Sequence, residues 1–273
     1  MSSRQRSTWP LIVVAALFII VPFLTWYLTW FGRDLSDEQI AKYLAEENNP
    51  RHTQHALSRI VDRINKGDSG VSKFYPQIVV LASSPVAEIR KTAAWAMGQD
   101  NSSEEFHQAL LKLLEDSEPL VRRNAALQLV RFGDTRGRPE LRAMLQMFAV
   151  ISPAAGKIKS SLTEGSAVKS GALVARLGDS ERMQDIRSPV DGEVNKVLKR
   201  EGDQVSAGDT IVLIAPDRTS AAEALRALYY VGSRDDLEFI EPYAQGAATA
   251  DQDLNRQAVL TVEAIRERAE RTP

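Results

Sequence analysis

Charged and apolar residues divide this chain into one uncharged stretch near the N-terminus and a long remainder in which the two kinds are mixed. No residue from Trp9 to Phe31 is charged. A helix of about 20 apolar residues crosses the hydrocarbon core of a bilayer, because each residue adds about 1.5 Å. Aromatic residues stand at both ends of the stretch, as they do at membrane interfaces. The pattern predicts a transmembrane helix over residues 9–31, preceded by a polar lead at residues 1–8.

A cleavable signal peptide is the alternative interpretation of this stretch. Its apolar region would be shorter and would end at small residues, whereas this stretch ends in the bulky sequence WYLTWFG. An uncleaved anchor is therefore favoured. Arg4 and Arg6 precede the stretch while Arg33 and Lys42 follow it, so basic residues nearly balance across it. We expect a single-pass protein of a bacterial inner (plasma) membrane, with its soluble part on the extracytoplasmic side.

Amphipathic helical spacing extends over residues 36–148 and returns over residues 219–270. Ser36 and Gln39 form the pattern of a capping box, which marks a helix start. Farther along, one predicted helical face carries the apolar residues Ala56, Ile60, Val61 and Ile64. Helices are therefore predicted on both sides of the segment that separates the two ranges.

Two of these helical segments repeat one another. EIRKTAAWAMG begins at Glu88, and LVRRNAALQLV begins at Leu120. Their arginines, Arg90 and Arg122, lie 32 positions apart, and alanine pairs follow at equivalent positions in both. Repeats of this length with two helices each are typical of an α-solenoid, in which every unit packs on its neighbours.

The segment from Val86 to Leu145 resembles HEAT repeats. It has a proline at a helix start, the pattern V-R-x-x-A-A and a turn at Gly133-Asp134. The resemblance implies a HEAT-like array of roughly three helix pairs over residues 36–148, with an extended surface for docking other proteins.

Between the helical regions, the stretch from Ser152 to Ile214 contains nearly the same sequence twice. SPAAGKIKSSLTEGSAVKSGALVARL begins at Ser152, and SPVDGEVNKVLKREGDQVSAGDTIVLI begins at Ser188. The matched positions include Gly156 with Gly192, Ile158 with Val194, Gly165 with Gly202, and Gly171 with Gly208. Each copy is predicted to form short strands separated by glycine turns.

This doubled pattern resembles the biotinyl/lipoyl carrier domain over residues 150–216. The resemblance implies a flattened barrel of two four-stranded sheets related by a pseudo-twofold axis. In that family, a lysine on the hairpin between the halves carries biotin or lipoate. Glu181 occupies the corresponding position here, and no lysine occurs between Lys169 and Lys196. We expect a carrier fold without a carried group, and therefore no cofactor.

The predicted fold class is multidomain α+β: an N-terminal transmembrane helix, a HEAT-like α-solenoid and an inserted biotinyl/lipoyl-like β-barrel sandwich. The chain ends of a carrier domain lie close together, so the domain can interrupt a helical array without separating its neighbours. No Gly/Ser/Pro-rich linker flanks residues 150 or 217. Three independent domains in a row are the alternative arrangement.

Composition and charge exclude several classes of function. The chain has 34 basic and 36 acidic residues, so it lacks the basic excess that nucleic-acid binding requires. It has no cysteine, which excludes disulfides, thiolate metal sites and cysteine nucleophiles. His52 and His55 could share a helix face, but no third ligand accompanies them, and no metal site is predicted.

The remaining polar motifs do not indicate catalysis. Paired carboxylates such as Asp235-Asp236 are interpreted as solvated groups at helix ends. No nucleophile elbow or dinucleotide-binding turn is present in the sequence. The protein is therefore predicted to have no catalytic residues and not to be an enzyme.

Four basic side chains at equivalent positions of the helical repeats are the candidate partner-binding residues: Arg90, Lys91, Arg122 and Arg123. They either pair with acidic residues of the neighbouring repeat or line a surface that binds an acidic peptide or a partner helix. The favoured hypothesis is a membrane-anchored, non-catalytic scaffold that docks partner proteins, such as a membrane complex or transporter, through the solenoid and the unmodified barrel.

The alternative hypothesis is a periplasmic adaptor of an efflux or secretion assembly. Membrane-fusion adaptors also join an N-terminal anchor to a lipoyl-like domain, but a long coiled-coil hairpin usually separates their lipoyl halves. Only residues 178–187 join the halves here. A third hypothesis, a swinging-arm carrier within an enzyme, conflicts with Glu181 at the attachment position.

Overall fold

A computed structural model of the chain describes residues 9–26, 34–46, 49–178 and 183–271. The chain forms two compact units, Met1–Val71 and Ser72–Pro273. The described residues of the first unit are helical or lie in turns, whereas the second unit combines helices with a β domain.

The first unit begins with the apolar helix α1, Trp9–Trp26, which contains Pro22. Its apolar side chains are largely exposed, with Phe18 at 79% and Ile19 at 73%. Among the described residues, no helix has both the length and the hydropathy that a membrane crossing requires. The predicted span of residues 9–31 is therefore not supported. Helix α1 covers its first 18 positions, and the other positions, like the polar lead, lie outside the described residues.

Two further helices complete the first unit, α2 (Asp37–Leu44) and α3 (Pro50–Asn65), and they pack against each other. The predicted capping box at the start of α2 is confirmed. The backbone N–H of Gln39 donates to Ser36 Oγ at 3.3 Å, and the N–H of Ser36 donates to Gln39 Oε1 at 3.0 Å. The contact between the helices buries their apolar faces, including Ile40, Leu57 and Ile60.

The second unit carries helices before and after its β domain. Those before it are α4 (Tyr75–Leu81), α5 (Ala87–Met97), α6 (Glu104–Leu113), α7 (Pro119–Leu129) and α8 (Arg138–Ala143). Those after it are α9 (Arg218–Val231), α10 (Leu237–Ala244) and α11 (Gln252–Arg271). They pack in pairs, α4 with α5, α6 with α7, α8 with α9, and α10 with α11. Helices α5, α7, α9 and α11 also pack in succession, so they form one layer of the array.

The β domain contains eight short strands. They are β1 (Phe148–Ile151), β2 (Gly156–Ser161), β3 (Ala167–Val168), β4 (Leu173–Gly178), β5 (Met183–Arg187), β6 (Gly192–Val197), β7 (Gln204–Val205) and β8 (Thr210–Pro216). They form two four-stranded antiparallel sheets, in the orders β1-β8-β6-β3 and β5-β4-β2-β7. The two sheets implied by the carrier resemblance are thus present, around a core that includes Ile158, Val194 and Ile211.

The doubled sequence folds into a doubled structure. Exchanging β1 with β5, β2 with β6, β3 with β7 and β4 with β8 converts one sheet order into the other. Equivalent backbone bonds join the halves: Gly171 N–H donates to the Ser188 carbonyl at 2.7 Å, and Gly208 N–H to the Ser152 carbonyl at 2.8 Å. Both glycines have a positive φ, which glycine adopts without steric cost. Each sheet contains strands of both halves, so neither half encloses the core alone.

The β domain is inserted within a helix pair, between α8 and α9. Its first and last strands pair with Phe148 opposite Ile214, so the two chain ends are adjacent. A single hydrophobic core then continues from α8 to the later helices, with Leu141 and Met144 packed in the same cluster as Leu225. The insertion therefore leaves the helical packing unbroken.

Candidate functional site

The hairpin between β4 and β5 is the place where the carrier family that this domain resembles attaches its cofactor. Gly178 and Met183 are opposite each other in the ladder, and residues 179–182 connect them. Glu181 is one of these residues and lies outside the described part of the chain. The connecting sequence is DSER, which offers no lysine amine for an amide bond. Met183, beside it, is 55% exposed.

The strand ends at Gly178 and Met183 lie at the end of the barrel away from the helical array. Strand β4 runs from Leu173 to Gly178 at the hairpin, and six residues of strand extend about 20 Å. At the other end, Ser170 N–H donates to the Asp191 carboxylate at 2.7 Å, and the following strand begins opposite Pro216. Pro216 leads directly into α9, so this end of the barrel adjoins the helices. The strand ends at Gly178 and Met183 are thus roughly one barrel length from the helices.

Buried polar contacts join the helices on the two sides of the inserted barrel. Asp236, in the turn before α10, is fully buried. Arg142 of α8 donates from Nε to its Oδ1, and Arg138 Nη1 lies 3.5 Å from its Oδ2. The Tyr243 hydroxyl donates to the Leu145 carbonyl at 2.9 Å. Asp236 does stand at a helix start, but the prediction that it is solvated is wrong, because it is buried and faces two arginines of α8.

Arg90 and Arg122 occupy equivalent places and make intramolecular contacts. Arg90 donates from Nε and Nη2 to both carboxylate oxygens of Asp116, at 2.6 and 2.8 Å. Arg122 donates from Nε to Glu140 Oε1 at 2.6 Å and from Nη1 to the Asp116 carbonyl at 2.8 Å. These arginines connect successive repeats, which is the first of the two roles weighed for them. Their binding of a partner stays a prediction.

Replacing Asp116 with asparagine is expected to lower the free energy of unfolding by about 1–3 kcal/mol at neutral pH. Burial raises the pKa of Asp116, but hydrogen bonds from Arg90 and from the Glu118 N–H lower it by more, so the pKa lies below its ordinary value. A carboxyl with a lowered folded-state pKa stabilises the fold above its unfolded pKa and loses that contribution as the pH falls through the folded value. Urea titrations at several pH values should therefore show that the difference in unfolding free energy between the wild-type protein and the variant shrinks below about pH 4. If the difference in unfolding free energy stayed constant down to acidic pH, the ionised Asp116 carboxylate would not be the source of the stabilisation.

Lys91 and Arg123 directly follow the two repeat-linking arginines and lie near the inserted barrel. Asp191, at the helical end of the barrel, is within electrostatic range of both. Lys91 also pairs with Glu88 at 2.8 Å. Arg123 is only 7% exposed, and the carboxylates of Glu140 and of Asp217, which precedes α9, also lie nearby. Arg123 therefore lies where the array meets the barrel, a position that its sequence pattern did not indicate.

Replacing Arg123 with methionine is expected to raise the free energy of unfolding by about 1 kcal/mol. Burial lowers the pKa of Arg123 more than the neighbouring carboxylates raise it, so the folded state disfavours its charged form. A methionine side chain replaces the aliphatic part of the arginine side chain but carries no charge. Urea denaturation measures the change, with Arg122→Met as the matched control that should destabilise because it removes an ion pair. A loss of stability in both variants would contradict the interpretation.

The histidines are engaged in local contacts. His52 Nδ1 lies 2.5 Å from Glu46 Oε2, and its ring stacks on Tyr43 with centroids 4.1 Å apart. His107 Nε2 lies 2.8 Å from Asp134 Oδ2. Within the described ranges, no group of three or more histidine, aspartate or glutamate side chains is arranged to hold a metal ion. These contacts give His52 and His107 a structural role.

Comparison with protein families matches two separate parts of the chain. The family described as HEAT repeats matches residues 76–148, and the family described as biotin-requiring enzyme, of the biotin/lipoyl type, matches residues 150–214. The chain has a HEAT-repeat region and a biotin/lipoyl domain. Neither match reaches half of the chain, so each describes its own region. The boundary between them coincides with the start of the barrel in the structure.

Comparison with individual proteins gives partial matches. A curated protein named "Putative efflux system component YhbJ" from Bacillus subtilis (strain 168) is 41% identical over 66 residues, which are 24% of this chain and 29% of that protein. The match thus spans less than a third of that relative. A solved structure of a single-chain, multi-domain long-chain acyl-CoA carboxylase aligns with 46% of this chain and 13% of its own, at 19% identity and a TM-score of 0.26. Similarity at that level carries no argument about function.

Proposed function

We propose that the protein is a non-catalytic adaptor that docks partner proteins through the HEAT-repeat region and an unmodified biotin/lipoyl domain. The observation that carries this proposal is the insertion of the domain between α8 and α9, which share one hydrophobic core. A carrier that delivers a cofactor between active sites needs a free tether. Here the last strand of the domain ends at Pro216 and α9 begins at Arg218, while four residues separate α8 from the first strand at Phe148. A domain held in this way suits a fixed docking surface.

The absence of a carried group is the second part of the proposal. The hairpin tip reads DSER, and the exposed side chains beside it are polar or methionine. On the adjoining strands, Asp185 Oδ2 accepts from Arg187 at 2.7 Å and Asp185 Oδ1 from Arg176 at 3.2 Å. Intact mass of the protein from its native host tests this part. We expect the mass of the polypeptide alone, and an increment the size of biotin or lipoate would overturn it.

Attachment to the inner membrane, with the larger unit on the extracytoplasmic side, is the third part of the proposal. The sequence from Trp9 to Phe31 has no charge, and the described part of it is an apolar helix with exposed side chains. Exposed apolar surface of this extent marks an interaction site, and a lipid bilayer fits its composition. Alkaline extraction of native membranes tests it: the protein should stay in the pellet, and release into the supernatant would contradict an anchor.

A periplasmic adaptor of an efflux assembly is the second candidate function. The match to the efflux system component from Bacillus subtilis favours it. Against it, the segment between the two halves of the barrel is a short hairpin, with only residues 179–182 between the paired Gly178 and Met183. No long coiled coil can be accommodated in four residues.

Affinity purification from cross-linked, solubilised native membranes tests the adaptor proposal and separates its two forms. Recovery of a stoichiometric partner complex would support docking. A transporter together with an outer-membrane channel would favour the efflux form. Recovery of the chain alone, under conditions that preserve known membrane complexes of the same host, would contradict both.

A further inference from the structure

A groove lies at the edge of the helical array where α7, α9 and α11 end. Two adjoining depressions, of about 670 and 430 Å³, share Gly232 and Arg268 in their walls and together make up this groove. We call it the α9 groove. Its walls come from the C-terminal turns of three helices in one layer, and it is separate from the repeat-linking arginines and from the barrel hairpin.

The walls of the α9 groove combine apolar with polar and charged side chains, and an exposed tyrosine stands beside them. Val130 and Val231 line the larger cavity, and Ile265 lines the smaller one. Tyr230 is 69% exposed although its ring contacts Tyr229 edge-on, with centroids 5.1 Å apart. An exposed tyrosine beside valines and arginines is a composition that is enriched at protein interfaces.

Positive charge predominates along the α9 groove. Its charged lining residues are three arginines and one aspartate: Arg131, Arg234, Arg268 and Asp235. The guanidinium of Arg268 donates to the carbonyls of Tyr229 and Gly232, at 2.5 and 3.1 Å, and so caps the C-terminal end of α9. Its charge is partly offset there by the helix dipole.

The other two arginines contact only uncharged acceptors among the described residues. Arg131 Nη1 donates to Gln99 Oε1 at 3.3 Å, and Arg234 Nη2 donates to the Ala269 carbonyl at 3.4 Å. Both side chains are exposed. Their position contrasts with that of Arg90 and Arg122, whose guanidinium groups are engaged by carboxylates of the chain. The α9 groove therefore presents guanidinium groups whose charge an acidic ligand would complement.

We propose that the α9 groove binds an acidic amphipathic helix of a partner protein. The apolar face of such a helix would cover Val130, Tyr230 and Val231, while its carboxylates would meet Arg131 and Arg234. This mode of recognition places an apolar stripe in a groove and uses rim charges to fix orientation. The inference rests on the proposed adaptor function and deepens it, because it names the chemistry of the partner segment.

Fluorescence anisotropy with two labelled peptides tests the inference. The first is a helical peptide of about 16 residues, with leucine along one face and glutamate elsewhere. The second has lysine in place of every glutamate. The full chain in detergent should bind the glutamate peptide at least about tenfold more tightly than the lysine peptide. Equal binding of the two, or binding of neither, would overturn the inference.

Substitutions in the α9 groove test whether the glutamate peptide binds there. The double variant Arg131→Glu with Arg234→Glu, and separately Tyr230→Ala, should each weaken binding of the glutamate peptide by about tenfold or more. Arg226→Glu is the matched control, because Arg226 is exposed on α9 but does not line the groove. Circular dichroism melting curves show whether each variant is folded. Unchanged affinity in the folded groove variants, or an equal loss in Arg226→Glu, would contradict the site.

The same variants distinguish this inference from the adaptor proposal. If the double variant still recovers the full partner complex from membranes, the α9 groove is wrong as a docking site and the adaptor function stands. If the wild-type chain recovers no partner at all, the adaptor function itself fails, whatever the peptide binds.

Discussion

Replacing Asp236 with alanine is expected to lower the free energy of unfolding of the second unit by about 3 kcal/mol. The Asp236 side chain is fully buried and faces Arg142 and Arg138. Its Oδ2 also accepts the backbone N–H of Ser233 at 2.7 Å. Removing the carboxylate would leave two guanidinium groups partly buried without their partner, and a partly buried charge left alone costs more than the pair contributes.

Urea denaturation followed by circular dichroism measures this change. Asp235→Ala is the matched control, because Asp235 is the neighbouring aspartate and is exposed. The control should change the free energy of unfolding by no more than about 0.5 kcal/mol. Equal losses in the two variants would show that the Asp236 contacts do not hold α8 to the helices beyond the barrel. A larger loss in Asp236→Ala alone would establish that this contact joins the two parts of the array.

The second large effect is expected in the barrel, where Gly192→Ala should lower stability by about 3 kcal/mol. A Cβ atom at Gly192 would lie 2.2 Å from the Ala215 carbonyl oxygen and 2.4 Å from Ile214 Cγ2. The carbonyl belongs to β8, which pairs with β6, so the clash can be relieved only by moving backbone. Paired strands resist such movement because it breaks ladder hydrogen bonds.

The pseudo-twofold axis supplies the control for this prediction. Gly156 is the equivalent residue of the first half, but a Cβ there would meet the Leu177 side chain at 3.0 Å rather than backbone. Gly156→Ala should therefore cost about 1 kcal/mol, since a leucine can rotate. Hydrogen exchange of the barrel amides, measured by mass spectrometry, compares the stability of the barrel in the two variants. If the barrel amides lost protection equally in both variants, the predicted difference between Gly192→Ala and Gly156→Ala would be wrong.

The doubled sequence predicted the β domain well, and the reason is physical. Short strands with glycine turns depend on local backbone preferences, and Gly171 and Gly208 do adopt positive φ at equivalent turns. Matching residues in two copies then imply matching strands, which the two sheet orders show. Helical periodicity likewise predicted α2 and the repeated helices α5 and α7, because i, i+3 and i+4 spacing is a local property.

The long-range contacts could not be predicted in the same way. Asp236 reads as a solvated carboxylate next to Asp235, and nothing local distinguishes a buried aspartate from its exposed neighbour. Its partner Arg142 is 94 residues away, on the other side of the inserted domain. Arg123 differs from Arg122 in burial and partners although the two are adjacent in sequence. In each case the environment is set by tertiary packing, which places Arg142 of α8 against Asp236 and Arg123 near Asp191 of the barrel.

The sequence by itself determined the doubled β domain, the helical repeats and the lack of a lysine at the hairpin, because each depends on residue identity or on spacing along one element. Only the tertiary structure decided that α8 and α9 share a core across the barrel and that Arg90 and Arg122 connect repeats. It also decided that the ends of α7, α9 and α11 enclose a groove with exposed guanidinium groups. These features join residues far apart in the chain, and packing geometry rather than local pattern brings such residues into contact.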